Sequence, residues 1–262
     1  MFTQSKPIQA VLFDLDDTLL DWSAQQNRLS IISRPHVDKL YDFLDIQNHP
    51  LPSREAFFDC YQETVIAAWA EAKKAWAGVN FAQTLQTCFS TLGLDVSRID
   101  MAAALRAYDW QALPNVTLYD DTITVLETLH RQAYKIGLVT NSMMPMWMRD
   151  IELRTYGILE YFDVRITSGD FGYMKPHPAI YERALDQLQV QPQHAVFVGD
   201  RPANDIAGAN AAGLISVLMA PPHINYQLNE VEPDFVITNL SELLPLLDGL
   251  QAGKAGGTRC PN

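Results

Sequence analysis

The chain has 262 residues, of which 48% are apolar and 19% are charged. This length and composition predict one large globular domain or two smaller ones, and they exclude a disordered chain. The formal net charge is −12, so we expect the surface to repel polyanions and exclude nucleic acid and anionic membranes as general partners.

The cysteines and the apolar segments indicate where the protein works. Cys60, Cys88 and Cys260 show neither metal-binding spacing nor a CxxC pair, and three thiols cannot all pair within one chain. Unpaired thiols are typical of a reducing compartment. The first residues lack a signal-peptide layout, and no apolar stretch is long enough to cross a bilayer. We therefore expect a cytoplasmic protein, either a monomer or a homodimer.

Short apolar runs predict the strands of a parallel sheet. The first run covers residues 8–15 and ends in acidic residues, and similar runs follow at 134–140, 162–168, 194–200, 214–220 and 234–240. Helical patterns separate them, at 122–132, 145–158, 178–190 and 204–213. Because strands alternate with helices, we predict an α/β fold whose parallel sheet is covered by helices on both faces.

The interval between the first two strands differs from the rest of the chain. Residues 22–114 contain no convincing strand. Within them, one helical stripe contains Phe58, Tyr61, Val65, Trp69, Ala72 and Trp76. We predict a core formed by 1–21 and 115–250, a helical cap at 22–114, and a Gly-rich flexible tail at 251–262.

Polar side chains follow several of the predicted strands, at the edge where open parallel sheets bind ligands. In chain order they are Asp14, Asp16, Thr140, Asn141, Lys175, Asp200 and Asp205. Two like charges about 4 Å apart repel by roughly 4 kcal/mol at an intermediate effective dielectric. A hard divalent cation would relieve the crowding of four carboxylates, and an all-oxygen shell completed by substrate phosphate suits Mg²⁺.

Two of these carboxylates are candidates for catalysis. Asp14 lies inside an apolar run, where an unpaired carboxylate is costly, so a purely structural role explains it poorly. It is placed for in-line attack on phosphorus, which would form an aspartyl-phosphate. Asp16, two residues later, would share a face with Asp14 in an extended strand. Asp16 could protonate the leaving oxygen and then deprotonate the hydrolytic water.

The remaining polar residues would support that chemistry. The Thr140 hydroxyl and the Asn141 backbone N–H could bind phosphate oxygens, and Lys175 would neutralise charge on the phosphoryl group. Asp200 would ligate the metal. Asp205 could ligate it through water or orient Lys175, although an acid after a strand is also a common turn former or helix cap.

Four segments, FDLDDTL, TNS, the lone Lys175 and GDRPAND, resemble in this order the motifs of the haloacid dehalogenase (HAD) superfamily. The resemblance covers roughly residues 8–240, and the long gap after the first motif is similar to the C1-type helical cap of its phosphatases. It implies a Rossmann-like core, Mg²⁺, an Asp14 nucleophile and an Asp16 acid/base. It also implies a metal held by Asp14, the Asp16 backbone carbonyl and Asp200. Trp22, at the expected hinge, is a candidate for contact with substrate.

Several functions stay open on this scaffold. The superfamily's dehalogenases need neither Mg²⁺ nor a second aspartate, so Asp16, Asp200 and Asp205 favour phosphoryl transfer. We predict a phosphatase for a small phosphorylated metabolite of the nucleotide, sugar-phosphate or phosphoglycolate type. The alternatives are a 2-haloacid dehalogenase, a phosphomutase and, from another class, a non-catalytic phospho-switch or binding protein. Receiver modules of the phospho-switch class usually lack a large helical insert.

Overall fold

The fold is built on a parallel sheet. In the computed structural model, residues 8–25, 29–223 and 231–252 are described. The strands are β1 (Ala10–Phe13), β2 (Leu20–Asp21), β3 (Thr117–Leu118), β4 (Lys135–Thr140), β5 (Val164–Thr167), β6 (Ala195–Gly199), β7 (Ile215–Met219) and β8 (Phe235–Ile237). Six of them form one sheet in the order β5-β4-β1-β6-β7-β8, with every neighbouring pair parallel. The predicted α/β fold is therefore confirmed.

Strand β1 lies at the centre of this sheet. All four of its side chains are buried, as expected for a parallel strand covered on both faces. Its last residue, Phe13, is in register with Leu138 on β4 and Val198 on β6. Along the chain, β4 and β5 are added on one side of β1, whereas β6, β7 and β8 are added on the other side. The strand order therefore reverses next to β1. Ligands bind at such a point in open α/β sheets.

A helical insert separates β2 from β3. Its helices are α1 (Leu29–Ile46), α2 (Arg54–Ala75), α3 (Phe81–Thr91) and α4 (Met101–Ala107). Strands β2 and β3 pair antiparallel, with Leu20 opposite Leu118, so the chain enters and leaves the insert through one short ribbon. The insert has its own aromatic core, in which the rings of Phe81 and Tyr108 lie 4.7 Å apart.

The predicted apolar stripe on α2 is buried only in its first half. Phe58 and Tyr61 are buried, whereas Trp69 is partly exposed and Trp76 is 40% exposed. The second half of α2 borders a groove of about 570 Å³ between α2 and α3, which leaves its side chains only partly buried. Trp76 follows the last residue of α2 and has a left-handed backbone with φ of 52°.

Six further helices surround the sheet: α5 (Thr122–Arg131), α6 (Met146–Thr155), α7 (Ser168–Phe171), α8 (Pro178–Leu188), α9 (Ala207–Ala211) and α10 (Leu243–Gln251). A π-helical turn at Pro202–Ile206 precedes α9. The predicted tail begins at residue 251, which is the last residue of α10, and its remainder from 253 lies outside the described residues. Within the described ranges, no helix combines the length and apolarity needed to cross a membrane.

Candidate active site

The polar residues predicted from the sequence meet at the carboxyl edge of the sheet. Asp14 follows β1, Thr140 ends β4, and Asp200 follows β6. A cavity of about 40 Å³ is lined by Asp14, Asp16, Thr140, Asn141, Lys175, Arg201, Asn204 and Asp205. Asp200 is buried beside it, with a carboxylate oxygen within 4.8 Å of ligand oxygens on Asp14 and Asp205. An enclosed space of this size admits a group of a few heavy atoms.

Lys175 is a buried cation that contacts two carboxylates of the site. Its Nζ lies 2.7 Å from Oδ1 of Asp14 and 2.7 Å from Oδ1 of Asp205, and only 1% of its side chain is exposed. Burial opposes the charged ammonium, but the charges of Asp14 and Asp205 outweigh burial and raise the pKa of Lys175. Lys175 is therefore a buried residue of the site and not a surface lysine.

Asn141 fixes the backbone that carries Lys175. The Asn141 Oδ1 accepts a hydrogen bond of 2.8 Å from the Lys175 N–H, and the Asn141 Nδ2 donates one of 2.9 Å to the Lys175 carbonyl. The sequence analysis assigned only the backbone N–H of Asn141 a role. The side chain therefore adds a function that the motif did not predict, because this pair is 34 residues apart in the chain.

Asp14, Asp200 and Asp205 form a cluster that fits a divalent cation. Burial, followed by the charges of Asp205 and Asp14, raises the pKa of Asp200 to about 9. Burial also raises the pKa of Asp14 to about 6, against the opposing effect of Lys175. The Oδ1 of Asp200 is buried and has no hydrogen-bond partner within the described part of the chain. A buried carboxylate oxygen without a donor is the ligand that Mg²⁺ prefers, so these residues fit the metal predicted from the sequence.

Gly199 allows Asp205 to reach this cluster. A Cβ atom at position 199 would lie 2.5 Å from the Asp205 side chain, which is too close for any other residue. The Oδ2 of Asp205 also accepts a hydrogen bond of 2.9 Å from the Arg201 N–H. Asp205 therefore holds the loop after β6 in addition to contacting Lys175, and its supporting role in the reaction stays a prediction.

Asp16 lies just beyond the first strand and lines the same cavity as Asp14. Strand β1 ends at Phe13, and Asp16 forms an isolated bridge with Leu20 rather than continuing the strand. The Asp16 carboxylate accepts hydrogen bonds of 2.9 and 3.1 Å from Nη2 of Arg149 and one of 3.1 Å from Nε1 of Trp22. Trp22, predicted as a substrate contact, thus contacts the proposed acid/base.

Arg149, Glu152 and Trp110 are site residues that the sequence analysis missed. All three are buried, and Nε of Arg149 lies 3.3 Å from Oε2 of Glu152. Glu152 in turn accepts a hydrogen bond from the Trp110 indole N–H. Burial raises the pKa of Glu152 to about 7, although Arg149 opposes that rise. An arginine inside a helical pattern gives no signal that separates it from a surface arginine, so only the fold identifies it.

Replacing Asp200 should separate metal binding from stability. Without metal, in EDTA, folded Asp200 keeps its proton up to about pH 9, whereas the unfolded chain releases that proton near pH 4. The free energy of unfolding of the wild-type protein should therefore fall as the pH rises from about 4 to 9. The slope for one group is at most about 1.4 kcal/mol per pH unit. Asp200→Asn should therefore be more stable than wild type in EDTA at pH 7 to 8, measured by urea unfolding.

The same variant should lose its response to Mg²⁺. Mg²⁺ should raise the melting temperature of the wild-type protein by binding only the folded state, and Asp200→Asn should abolish that rise. Asp186→Asn, which changes an exposed carboxylate on α8, is the matched control and should respond like wild type. An Asp200→Asn protein that is still stabilised by Mg²⁺ would place the metal elsewhere.

Comparison with known proteins gives the relatives of this chain. It is 30% identical over 246 residues to the glyceraldehyde 3-phosphate phosphatase of Methanopyrus kandleri, a match that covers 92% of this chain and 97% of that protein. It is 32% identical over 136 residues to the pyrophosphatase PpaX of Bacillus cereus, a match that covers 51% of this chain and 62% of PpaX.

Two solved structures have folds similar to that of this chain. A HAD phosphatase from Thermococcus onnurineus is 26% identical with a TM-score of 0.60, covering 96% of this chain and 100% of the other. A 2-haloacid dehalogenase from Pseudomonas syringae pv. Tomato DC3000 is 26% identical with a TM-score of 0.61, covering 92% and 98%. A family model of haloacid dehalogenase-like hydrolases matches residues 8–213. With the motifs, the sheet and the carboxylate cluster in agreement, this chain belongs to the haloacid dehalogenase-like hydrolases.

Proposed function

We propose that this enzyme is a Mg²⁺-dependent phosphatase that hydrolyses a small phosphomonoester through an aspartyl-phosphate on Asp14. The observation that carries the proposal is the pairing of Asp14 Oδ1 with the buried Nζ of Lys175 at 2.7 Å. The cavity that holds this pair is also lined by Thr140 and Asn141. A carboxylate nucleophile beside a fixed cation and polar donors is the arrangement that phosphoryl transfer requires.

The first step would transfer the phosphoryl group to the enzyme. Lys175, the Thr140 hydroxyl and the Asn141 N–H would contact the phosphoryl oxygens and hold the phosphorus in line with Asp14. An Asp14 oxygen would then form a bond to phosphorus while the bond from phosphorus to the leaving oxygen breaks. Asp16 would give its proton to that oxygen, which leaves as an alcohol.

The second step would release phosphate and restore the enzyme. A water molecule would attack the phosphorus while Asp16 takes its proton, and the bond between phosphorus and Asp14 would break. Mg²⁺, which Asp14, the Asp16 backbone carbonyl and Asp200 would hold with support from Asp205, supplies positive charge that stabilises the phosphoryl oxygens. The ammonium of Lys175, which is buried against Asp14, adds a second positive charge to that stabilisation.

We further propose that residues 22–114 act as a cap over the core formed by 1–21 and 115–250. Backbone hydrogen bonds of 2.8 Å join the segment after α2 to the segment before Lys175, from the Gly78 N–H to the Gly172 carbonyl and from the Met174 N–H to the Trp76 carbonyl. The insert thus contacts the core next to the site. A cap in this position would exclude bulk water and restrict entry to small substrates, with Trp22 at its hinge.

Among small phosphomonoesters, a triose or other sugar phosphate is the first choice. The near full-length match to a glyceraldehyde 3-phosphate phosphatase supports it. Nucleoside monophosphates and phosphoglycolate form the second choice. Arg201 and Asn204 line the cavity and are placed to contact the part of the substrate nearest the phosphoryl group.

The test is phosphate release from a panel of glyceraldehyde 3-phosphate, hexose phosphates, nucleoside monophosphates, phosphoglycolate and pyrophosphate. We expect release from at least one phosphomonoester with Mg²⁺ and none in EDTA. Release that is equal in EDTA would contradict the metal requirement. If no ester reacts, halide release from 2-haloacids in EDTA would indicate a dehalogenase. A phosphorylated isomer without free phosphate would indicate a phosphomutase.

A further inference from the structure

A buried chain of polar side chains leads from the helical insert to Asp16. The Trp110 indole N–H donates to Glu152, whose carboxylate pairs with Arg149. Nη2 of Arg149 in turn contacts both oxygens of Asp16, at 2.9 and 3.1 Å. Only 5% of the Arg149 side chain and 4% of the Glu152 side chain are exposed. Such a network is costly to bury and is replaceable by apolar groups where only stability is needed.

Both connections between the insert and the sheet take part in this arrangement. Trp22 directly follows β2, on the chain entering the insert, and its Nε1 donates to Oδ1 of Asp16 at 3.1 Å. Trp110 lies between α4 and β3, on the chain that leaves the insert. Each connection thus contributes one indole N–H, which reaches Asp16 either directly or through Glu152 and Arg149.

We propose that Arg149 is a positioning residue that fixes the Asp16 carboxylate for its two proton transfers, and that Glu152 and Trp110 hold Arg149 in place. This inference rests on the aspartyl-phosphate reaction proposed above. Asp16 lies beyond the last residue of β1, and its carboxylate is held by the side chains of Arg149 and Trp22. The planar guanidinium supplies directional donors that a lysine lacks, and its burial between two carboxylates leaves it no face for substrate.

The contacts also indicate which of the two Asp16 oxygens carries the transferred proton. Oδ1 accepts from both Trp22 and Arg149, whereas Oδ2 accepts from Arg149 alone. A carboxylate oxygen offers about two acceptor sites, so Oδ2 keeps one for the transferred proton. In the first step that proton moves from Oδ2 to the leaving oxygen as its bond to phosphorus breaks. In the second step Oδ2 takes a proton from the attacking water, which restores the starting state.

The experiment compares leaving groups in Arg149→Met, because only a poor leaving group needs the proton from Asp16. The substrates are 4-nitrophenyl phosphate, whose phenolate leaves unaided, and the best alkyl phosphate from the panel. We expect Arg149→Met to slow single-turnover cleavage of the alkyl ester by roughly 10- to 100-fold. The nitrophenolate burst should keep its amplitude and stay within a few-fold of the wild-type rate, and steady-state turnover should fall for both esters. KM should change little.

Arg165→Met is the matched control. Arg165, on β5, pairs with Asp150 of α6 at 2.8 Å. Arg165 is not among the residues that line the cavity. This variant should keep wild-type rates with both esters. Arg149→Lys keeps the positive charge but loses the planar, two-pronged set of guanidinium donors. It should restore only part of the wild-type rate of alkyl ester cleavage. Trp110→Phe keeps the aromatic ring, loses the donor to Glu152, and should reproduce the leaving-group pattern at a smaller, few-fold size.

Each outcome decides one point. Equal loss of the burst and of alkyl cleavage in Arg149→Met, or unchanged rates with both esters, would overturn the positioning role. If Arg149→Met does not fold, Trp110→Phe decides, and an equal effect on both esters there would overturn it too. Failure of the proposed function is distinct, because wild-type protein would then give neither a nitrophenolate burst nor a phosphorylated chain.

Discussion

Asp14→Asn should abolish phosphate release, with a loss of about 10³-fold or more in kcat. The amide cannot form the acyl-phosphate, because its nitrogen and oxygen lack the charge that makes the carboxylate a nucleophile. Fold and stability should survive the change. Burial raises the pKa of Asp14 to about 6, so the folded protein gains from removing a carboxylate that it desolvates.

The mass of the acid-quenched protein measures the intermediate directly. Wild-type protein mixed with substrate should gain the mass of one phosphoryl group, and Asp14→Asn should gain none. Asp17→Asn is the matched control, since it removes a charge from the same loop at a φ of 60° that asparagine tolerates. It should form the phosphorylated chain at a rate within a few-fold of wild type. Phosphate release by Asp14→Asn at the wild-type rate would rule out Asp14 as the nucleophile.

The centre of the sheet could be predicted because its strands are buried on both faces. A run such as that of β1, with all four side chains buried, is apolar without alternation and ends where polar residues begin. The positions of Asp14, Thr140 and Asp200 follow, since a parallel sheet brings its carboxyl ends to one edge. The short strands β2 and β3 could not be predicted, because two residues carry no periodicity.

The surroundings of Asp16 could not be predicted, for two physical reasons. Strand β1 ends at Phe13 and Asp16 forms only an isolated bridge with Leu20, so strand periodicity does not report which side chains contact Asp16. The arginine that holds Asp16 is 133 residues away in the chain. Helical periodicity places Arg149 on α6 but does not show which buried residue lies opposite it. The contact between Arg149 and Asp16 depends on how α6 packs beside the sheet.

Charge balance explains why the site contains both excess acid and one buried lysine. Asp14, Asp200 and Asp205 place three carboxylates within 4.8 Å of one another, and Lys175 pairs with two of them. Arg201 lies 3.8 Å from the third carboxylate, Asp200, and opposes its protonation. Burial, together with the charges of Asp205 and Asp14, outweighs Arg201 and raises the pKa of Asp200, which favours binding of a divalent ion at the cluster. The overall charge of −12 also favours cations at the surface. A phosphorylated substrate of the proposed reaction would then be attracted where Mg²⁺ and Lys175 lie close together.

Lys175→Met tests this balance, and we expect it to lower both activity and stability. Methionine has a similar length but no charge, so Asp14 and Asp205 would lose their buried partner. Removing one member of a buried ion pair typically costs about 3–5 kcal/mol in the free energy of unfolding. Activity should fall by about 10²-fold or more, since the charge that stabilises the phosphoryl oxygens is lost. Urea unfolding in EDTA and phosphate release with Mg²⁺ measure the two effects separately.

The double variant Lys175→Met/Asp205→Asn distinguishes charge balance from catalysis. The Asp205→Asn change would keep an acceptor for the Arg201 N–H, which Asp205 binds at 2.9 Å, while removing one of the two carboxylates left unpaired. Stability should therefore recover by more than the sum of the single changes predicts, because the two residues are in direct contact. Activity should not recover, since no cation returns to the phosphoryl site. A Lys175→Met protein as stable as wild type would show that Lys175 is dispensable for stability. A double variant that regained activity would show that Lys175 is dispensable for catalysis.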